Sequence, residues 1–410
     1  MSNKRTGRHG CWLAALVLVV APAQAQIKDL QWHGFASQGY VLSDGNNVNG
    51  ESSEDSGSLD FRELGANVSA RPWGRLLLSA QVASVQQGEV TEEDLILDFA
   101  VADIIVSQTQ LGRFGLRLGK LKLPFGLFND ARDAVFTRPG ILLPQSIYLD
   151  TDGARAFGYF SSKGVALYGD AYFGRHNLQA DLGLYGDETL GETAAISILR
   201  RPASGRFSME RSLVLRVGDE LDGGRWRVML TASSSDLRYR PGDDPPFLMA
   251  GNFEFSQFLL SLQHNRERLS LTSEIVRRTI KLDDLIPGPG DSTTDQDSLG
   301  FYLQATWRWT DQLSLALRYD ERQRELQDRR GHRQSARSEQ SGNPLPRHYF
   351  FARDTSFGAR YQFTPALELW AELHVIDGVA WVNPLDNPGF HSGNAERHWS
   401  LFTAMLAYRF

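Results

Sequence analysis

A single cysteine, Cys11, occurs in the 410 residues, and it lies inside the only long apolar run, Cys11 to Ala21. Lys4, Arg5 and Arg8 precede that run and Ala23-Gln24-Ala25 follows it. A basic start, an apolar middle and an A-x-A end make residues 1–25 a secretory signal peptide, cut before Gln26. The exported chain then holds no cysteine, which excludes disulfides, thiolate catalysis and cysteine metal sites. The run is too short to span a bilayer as a helix, and no longer one follows. Basic excess is also lacking: 43 Lys and Arg face 49 Asp and Glu, and the signal removes three basic residues and no acid. Nucleic acid is therefore not expected as a partner. None of the nine histidines falls in an HExxH-type spacing and no glycine-rich phosphate loop occurs, so no metal site and no cofactor is expected. No Pro/Ser-rich hinge or low-complexity tract divides the chain, so residues 26–410 read as one unit.

What is present is alternation. Leu64, Ala66, Val68 and Ala70 alternate with Glu63, Gly65, Asn67 and Ser69; Leu76, Leu78, Ala80 and Val82 follow with Leu77, Ser79 and Gln81 between them. Leu95, Leu97, Phe99 and Val101 are read as the apolar face of the next strand, against Asp94, Asp98 and Ala100. The texture continues to the last residue, in about sixteen segments near the ~9–11 residues of a tilted membrane strand. Tight turns at Arg71 to Gly74, Gly174-Arg175, Leu221 to Gly224, His264 to Glu267, Thr310 to Gln312 and Thr364-Pro365 separate long polar loops. The alternation of short and long connections predicts a closed transmembrane antiparallel β-barrel whose two ends face different compartments. Trp73, Trp226, Trp307, Trp309, Phe363 and Phe410 fall beside the short turns, where an interfacial girdle belongs.

The stretch Leu116 to Asp150 breaks the pattern. Leu116 and Leu118 face one way and Arg117 and Gly119 the other, until Pro124 removes a ladder donor and Gly126 loosens the chain. Apolar anchors (Phe125, Leu127, Phe128, Val135, Phe136, Ile141, Leu142, Leu143) are then mixed with charges of both signs. A loop of about residues 121–159 that folds back into the barrel after the fifth strand and narrows it meets both demands. Arg113, Arg117, Lys120, Lys122, Asp130, Arg132, Asp133 and Arg138 are its candidate constriction and solute-binding residues. Other inward-parity charges are Arg308, Arg318 and Arg360, and the acids Glu63, Asp98, Asp170, Asp181, Glu274, Asp320, Glu368 and Glu372.

In the final segment HWSLFTAMLAYRF, the residues Phe402, Ala404, Leu406, Tyr408 and Phe410 form one apolar face ending on a terminal aromatic. This resembles the C-terminal signature of bacterial outer-membrane barrels. The segment LGKLKLPFGLF, particularly Gly119, Lys120, Pro124, Phe125 and Gly126, is similar to the start of the constriction loop in the phosphate-selective porin O and P family and its dicarboxylate-channel relatives. A lysine-rich entry and an N-terminal coiled coil are missing, since the first strand begins at Leu30.

The resemblance implies a Gram-negative outer-membrane porin, a homotrimer embedded in lipid and lipopolysaccharide. It would let small hydrophilic solutes or ions diffuse passively and catalyse nothing. The basic residues around the loop predict a preference for anions or carboxylates, which Asp130 and Asp133 oppose; a mildly cation-selective general porin is the alternative. A closed-lumen barrel enzyme or adhesin is the rival reading. A lipid-hydrolysing barrel would need an outward Ser–His pair, and the nearest candidates, His398 and Ser400, are assigned inward parity at a loop edge. The oxygen-rich loop Asp44 to Gly57 lacks the twelve-residue calcium pattern and reads as solvated, with divalent bridging to lipopolysaccharide the lesser role.

Overall fold

The computed structural model describes residues 29–91, 95–148, 161–200, 203–242, 249–283 and 294–410. Residues 1–25, expected from the sequence to be a signal peptide, and the end of the long loop, 149–160, lie outside the described residues. Alternation produces strands throughout: β1 (Gln31–Ser43), β2 (Ser58–Trp73), β3 (Leu76–Gln87), β4 (Ile96–Thr109), β5 (Gly112–Lys122), β6 (Ser161–Phe173), β7 (His176–Gly186) and a short β8 (Glu188–Leu190). There follow β9 (Gly205–Leu221), β10 (Trp226–Pro241), β11 (Gly251–Asn265), β12 (Leu269–Asp283) and β13 (Thr294–Arg308). The last four are β14 (Leu313–Gln323), β15 (Phe351–Gln362), β16 (Leu367–Gly378) and β17 (His398–Arg409). Among the described residues three short α-helices lie in the long loops: α1 (Gln145–Tyr148), α2 (Glu192–Leu199) and α3 (His332–Gln340).

β8 pairs only with β9, and the other sixteen strands each pair with both neighbours, β17 closing on β1. Every pairing is antiparallel, so the ring has no open edge and satisfies its own backbone groups. The wall strands run from eleven residues in β5 to seventeen in β9, longer than the spanning minimum, so the wall continues past an apolar layer.

Leu64, Val68, Leu118, Leu215, Leu303 and Leu406 stand exposed on the outer face, part of a belt of large apolar side chains that only lipid or detergent can cover. Trp73, Trp226, Trp307, Trp309 and Phe363 are exposed beside the tight turns. Phe410 is exposed at the same end: its backbone exchanges hydrogen bonds with Gly34 at 3.0 Å each way, and its ring lies 5.6 Å from that of Trp32. A Cβ on Gly34 would sit 2.3 Å from the Phe410 ring, so glycine is what lets the terminal aromatic close the seam.

The structure corrects four readings. A bulge at Asp98 places Gln81 opposite Phe99 but Val82 opposite Leu97, so Phe99 and Val101 turn inward although Leu97 stays on the lipid side. His398 and Ser400 share the parity of outward Phe402, not the inward one; the His398 ring lies 3.5 Å from Asp377 and the Ser400 amide donates to Asp44. The Asp44 to Gly57 loop is not merely solvated: Asn46, Asn49 and Ser53 are buried where it folds over the barrel mouth. A seventh tight turn joins β4 to β5, and β3 and β4 are joined by a further long connection, residues 88–95. No helix among the described residues is long and apolar enough to cross a membrane.

Candidate functional site

The loop after β5 begins where glycine permits it. Gly119 has φ +125, and a Cβ there would meet the Ala100 carbonyl oxygen at 2.1 Å. Gly126, at φ +60, lies so close to the Tyr148 hydroxyl and the Glu274 carboxylate that a Cβ would sit 2.6 and 2.8 Å from them. Between these glycines the chain leaves the wall and enters the barrel.

Once inside, the loop is tied to the β10–β17 side. Glu274 of β12 accepts from the Leu127 amide at 3.0 Å, from the hydroxyls of Tyr148 at 2.7 Å and Tyr302 at 2.9 Å, and from Ser261 at 2.6 Å. The Tyr148 hydroxyl in turn accepts from the amides of Leu127 and Phe128 at 3.0 and 3.1 Å. Burial, and then the charge of Glu274, push that hydroxyl well above its ordinary pKa, so it stays a donor. Arg278 donates to the carbonyls of Ser146 and Ile147, Arg318 to that of Leu142, and Glu372 accepts from the amides of Ile141 and Leu142. Phe125, Leu143, Ile147 and Tyr148 join one buried apolar cluster, and Val135, Ile141 and Leu142 another that includes Trp381 and Trp399. This side of the loop is dry packing.

The opposite side is polar. Arg117 of β5 lies 3.1 Å from Asp103 and 3.4 Å from Asp181, with its guanidinium 4.0 Å from the centre of the Tyr168 ring. Arg216 of β9 joins Asp181 at 3.0 Å to Asp130 of the loop at 2.8 Å. Lys122 bridges Asp98 at 2.7 Å and Asp133 at 2.6 Å, and Gln81 donates to both carboxylates. The side chains of Arg117 and Asp130 keep 37% and 44% exposure inside the barrel, against 3% for Arg138. A cavity of about 310 Å³ lies here, lined by Arg117, Lys122, Asp130, Asp181 and Tyr185.

Of the residues singled out in the sequence, Arg117, Lys122, Asp130 and Asp133 thus share one polar slot between the loop and the β3–β9 wall. Arg138 instead clamps the loop to the wall through a bidentate pair with Glu63 at 2.8 and 2.6 Å. Arg132 is buried within the loop's own fold, donating to Asn129 at 3.1 Å. Arg113 pairs with Asp170 at 2.9 Å, close to the β4–β5 and β6–β7 turns. Lys120, opposite Ala100 and Lys163, also lines that cavity and lies 3.9 Å from Glu188. Arg216, Arg278, Asp103 and Tyr168 complete the site and were not singled out; the available signal was inward parity on an alternating strand, as for Arg216 between Leu215 and Val217. No group of three metal-ligating side chains occurs among the described residues.

No protein-family model and no curated protein matches the sequence. Solved structures do match the fold. The outer membrane channel DcaP of Acinetobacter baumannii aligns over 93% of this chain and 97% of its own, with TM-score 0.57 at 9% identity. OmpF of Salmonella typhi, in a complex with daunomycin, gives 0.55 at 11% identity over 93% and 97%. A trimer form of OmpT, an outer membrane protein of Vibrio cholerae, gives 0.52 at 11% identity over 93% and 99%. At such identities the likeness establishes the fold alone, a closed sixteen-strand antiparallel β-barrel.

Proposed function

We propose that the chain is an outer-membrane diffusion channel in which small hydrophilic solutes pass between the inward loop and the β3–β9 wall. The observation that carries this reading is the asymmetry of the loop: one side is packed dry against β10–β17, while the other leaves ionised, partly exposed side chains around a cavity. Nothing in such a slot needs to react. Solutes would follow their gradient, with fixed charges acting where the path is narrow. The porin-type structures that share the fold support the same reading, as does the lipid-demanding outer belt. The short turns would then face the periplasm and the long loops the exterior. A homotrimer, the form in which the Vibrio cholerae protein was solved, is proposed here too.

The ion pairs change the expected selectivity. Arg113, Arg117, Lys122 and Arg216 each face at least one carboxylate, and Asp98, Asp103, Asp130, Asp133, Asp170 and Asp181 outnumber them. The anion preference expected from the sequence set Asp130 and Asp133 against the basic side chains, but the pairing of each basic side chain with its own carboxylate was not visible there. We infer a weak preference for cations instead. A potassium chloride gradient across a planar bilayer tests it: the reversal potential should favour potassium, and Asp130→Asn/Asp133→Asn should move it toward chloride. A chloride-favouring wild type would refute the assignment.

A further inference from the structure

On the outer wall, just beyond the apolar belt at the long-loop end, four neighbouring strands carry one row of charge. Glu321 of β14 lies opposite Arg353 of β15, which lies opposite Asp377 of β16, which lies opposite His398 of β17. Their parity is the outward one, shared with exposed Leu317, Phe357, Val375 and Leu373. Val375 is two residues below Asp377, which puts the row about 7 Å beyond the last apolar side chains.

The two acids are already engaged. Arg329 donates twice to Glu321 at 2.7 Å, and Arg397 donates to Asp377 at 2.7 Å, with Arg353 3.6 Å from Glu321 and 3.4 Å from Asp377. Above them opens a pocket of about 510 Å³ lined by Arg330, His332, Arg347, His348, Arg353 and Arg397, with Phe351 as its apolar floor. Arg353 and Arg397 lie 4.8 and 5.9 Å from the centre of that ring. Gly331 seats the 329–332 turn against the 347–350 segment: its φ is +69, and a Cβ would meet the Arg347 carbonyl at 2.3 Å. Among the described residues Arg330 and Arg347 have no acidic partner within the 4.0 Å of an ion pair, and both are exposed. The N-terminus of α3 is not the attraction, because Asp328 already accepts from the amides of His332, Arg333 and Gln334 at 2.7–2.9 Å.

We propose that this pocket binds the phosphorylated sugar headgroup of an outer-leaflet lipid, with Arg330 and Arg347 supplying the charge that the row leaves uncompensated. A phosphomonoester carries roughly −1.5 to −2 charge and three acceptor oxygens, which guanidinium groups match in forks. The place decides between a lipid and a free anion: the pocket opens on the outer wall at headgroup height, not on the slot through the barrel. The inference rests on the outer-membrane reading above for which leaflet the long-loop end meets.

The test uses the whole exported chain in detergent, with native mass spectrometry reading the binding of bisphosphorylated lipid A, its dephosphorylated form and inorganic pyrophosphate. Wild type should prefer the bisphosphorylated lipid, and Arg330→Ser/Arg347→Ser should weaken its binding about tenfold or more. Arg277→Ser, which removes a different outward rim pair with Asp297, should leave it unchanged. Equal binding by the double variant overturns the site. Pyrophosphate binding as tightly as the lipid overturns the lipid assignment, and equal binding of the dephosphorylated form overturns the phosphate chemistry. Bilayer currents of wild type and double variant keep the two proposals apart: lost lipid discrimination with intact current fails the pocket alone. Retained discrimination without current fails the channel alone.

Discussion

Arg138 is the residue on which the loop's position depends most directly. Its guanidinium and the Glu63 carboxylate are both almost fully buried and hydrogen-bonded to each other twice, with Ser37 adding a donor to Glu63 at 3.2 Å. Removing one member leaves the other charge buried without its partner, which costs about 3–5 kcal/mol where pairs of this kind have been broken. Arg138→Ala should therefore lower the denaturant midpoint measured by heat-modifiable gel migration in detergent, whereas Glu63→Gln/Arg138→Met should recover most of the loss. An unchanged midpoint in the single variant would mean that this pair does not hold the loop. None of this was legible beforehand as a pair: both residues stood out as charges of the right parity or place, but 75 positions separate them and only barrel closure brings them together. Arg216 was missed for the same reason, since its loop partner Asp130 belongs to a distant stretch of chain.

At the scale of elements, the long loops behave as a folded cap. Asp386, in the connection between β16 and β17, is buried and accepts from the Glu89 amide at 2.9 Å, with Gly88 so close that a Cβ there would lie 2.3 Å from the carboxylate. Burial raises its pKa from 3.8 to about 7, against the hydrogen bonds that would lower it. A carboxyl raised in the folded state binds its proton more tightly there than in the open chain, so the stability that Asp386 contributes to the cap is fully present below about pH 4 and is lost as pH rises through about 7. Protection factors of residues 44–57 and 88–91, that is exchange rates corrected for their intrinsic pH dependence, should therefore be higher at pH 5.5 than at pH 8, and Asp386→Asn should remove most of the difference. A lower protection factor at pH 5.5 would contradict this. The strands themselves were readable because lipid demands an apolar residue at every outward position, which is every second residue, as in Leu64, Ala66 and Val68. The bulge at Asp98 was not, because one inserted residue reverses parity without changing composition. The closing strand offers its own check: without Phe410 the seam loses two backbone hydrogen bonds to Gly34 and a ring contact with Trp32. Outer-membrane yield of the truncated chain should fall, and unchanged assembly would show that the terminal aromatic is dispensable.

For the whole molecule, the account requires a continuous wet path on one side of the loop and none on the other. The sequence made the barrel legible and singled out the segment after β5; which side of that segment stays open was not legible, because it depends on where apolar anchors such as Ile147 and Leu143 meet the far wall. The chain offers a clean background for locating the path, because its only cysteine, Cys11, lies outside residues 29–410. The decisive measurement is single-channel current through Asp130→Cys and Ile147→Cys proteins in a planar bilayer, before and after a charged methanethiosulfonate reagent. Wild type should give current steps, Asp130→Cys a drop in current after reaction, and buried Ile147→Cys no change. No current from folded wild type, or block through Ile147→Cys with Asp130→Cys untouched, would contradict it.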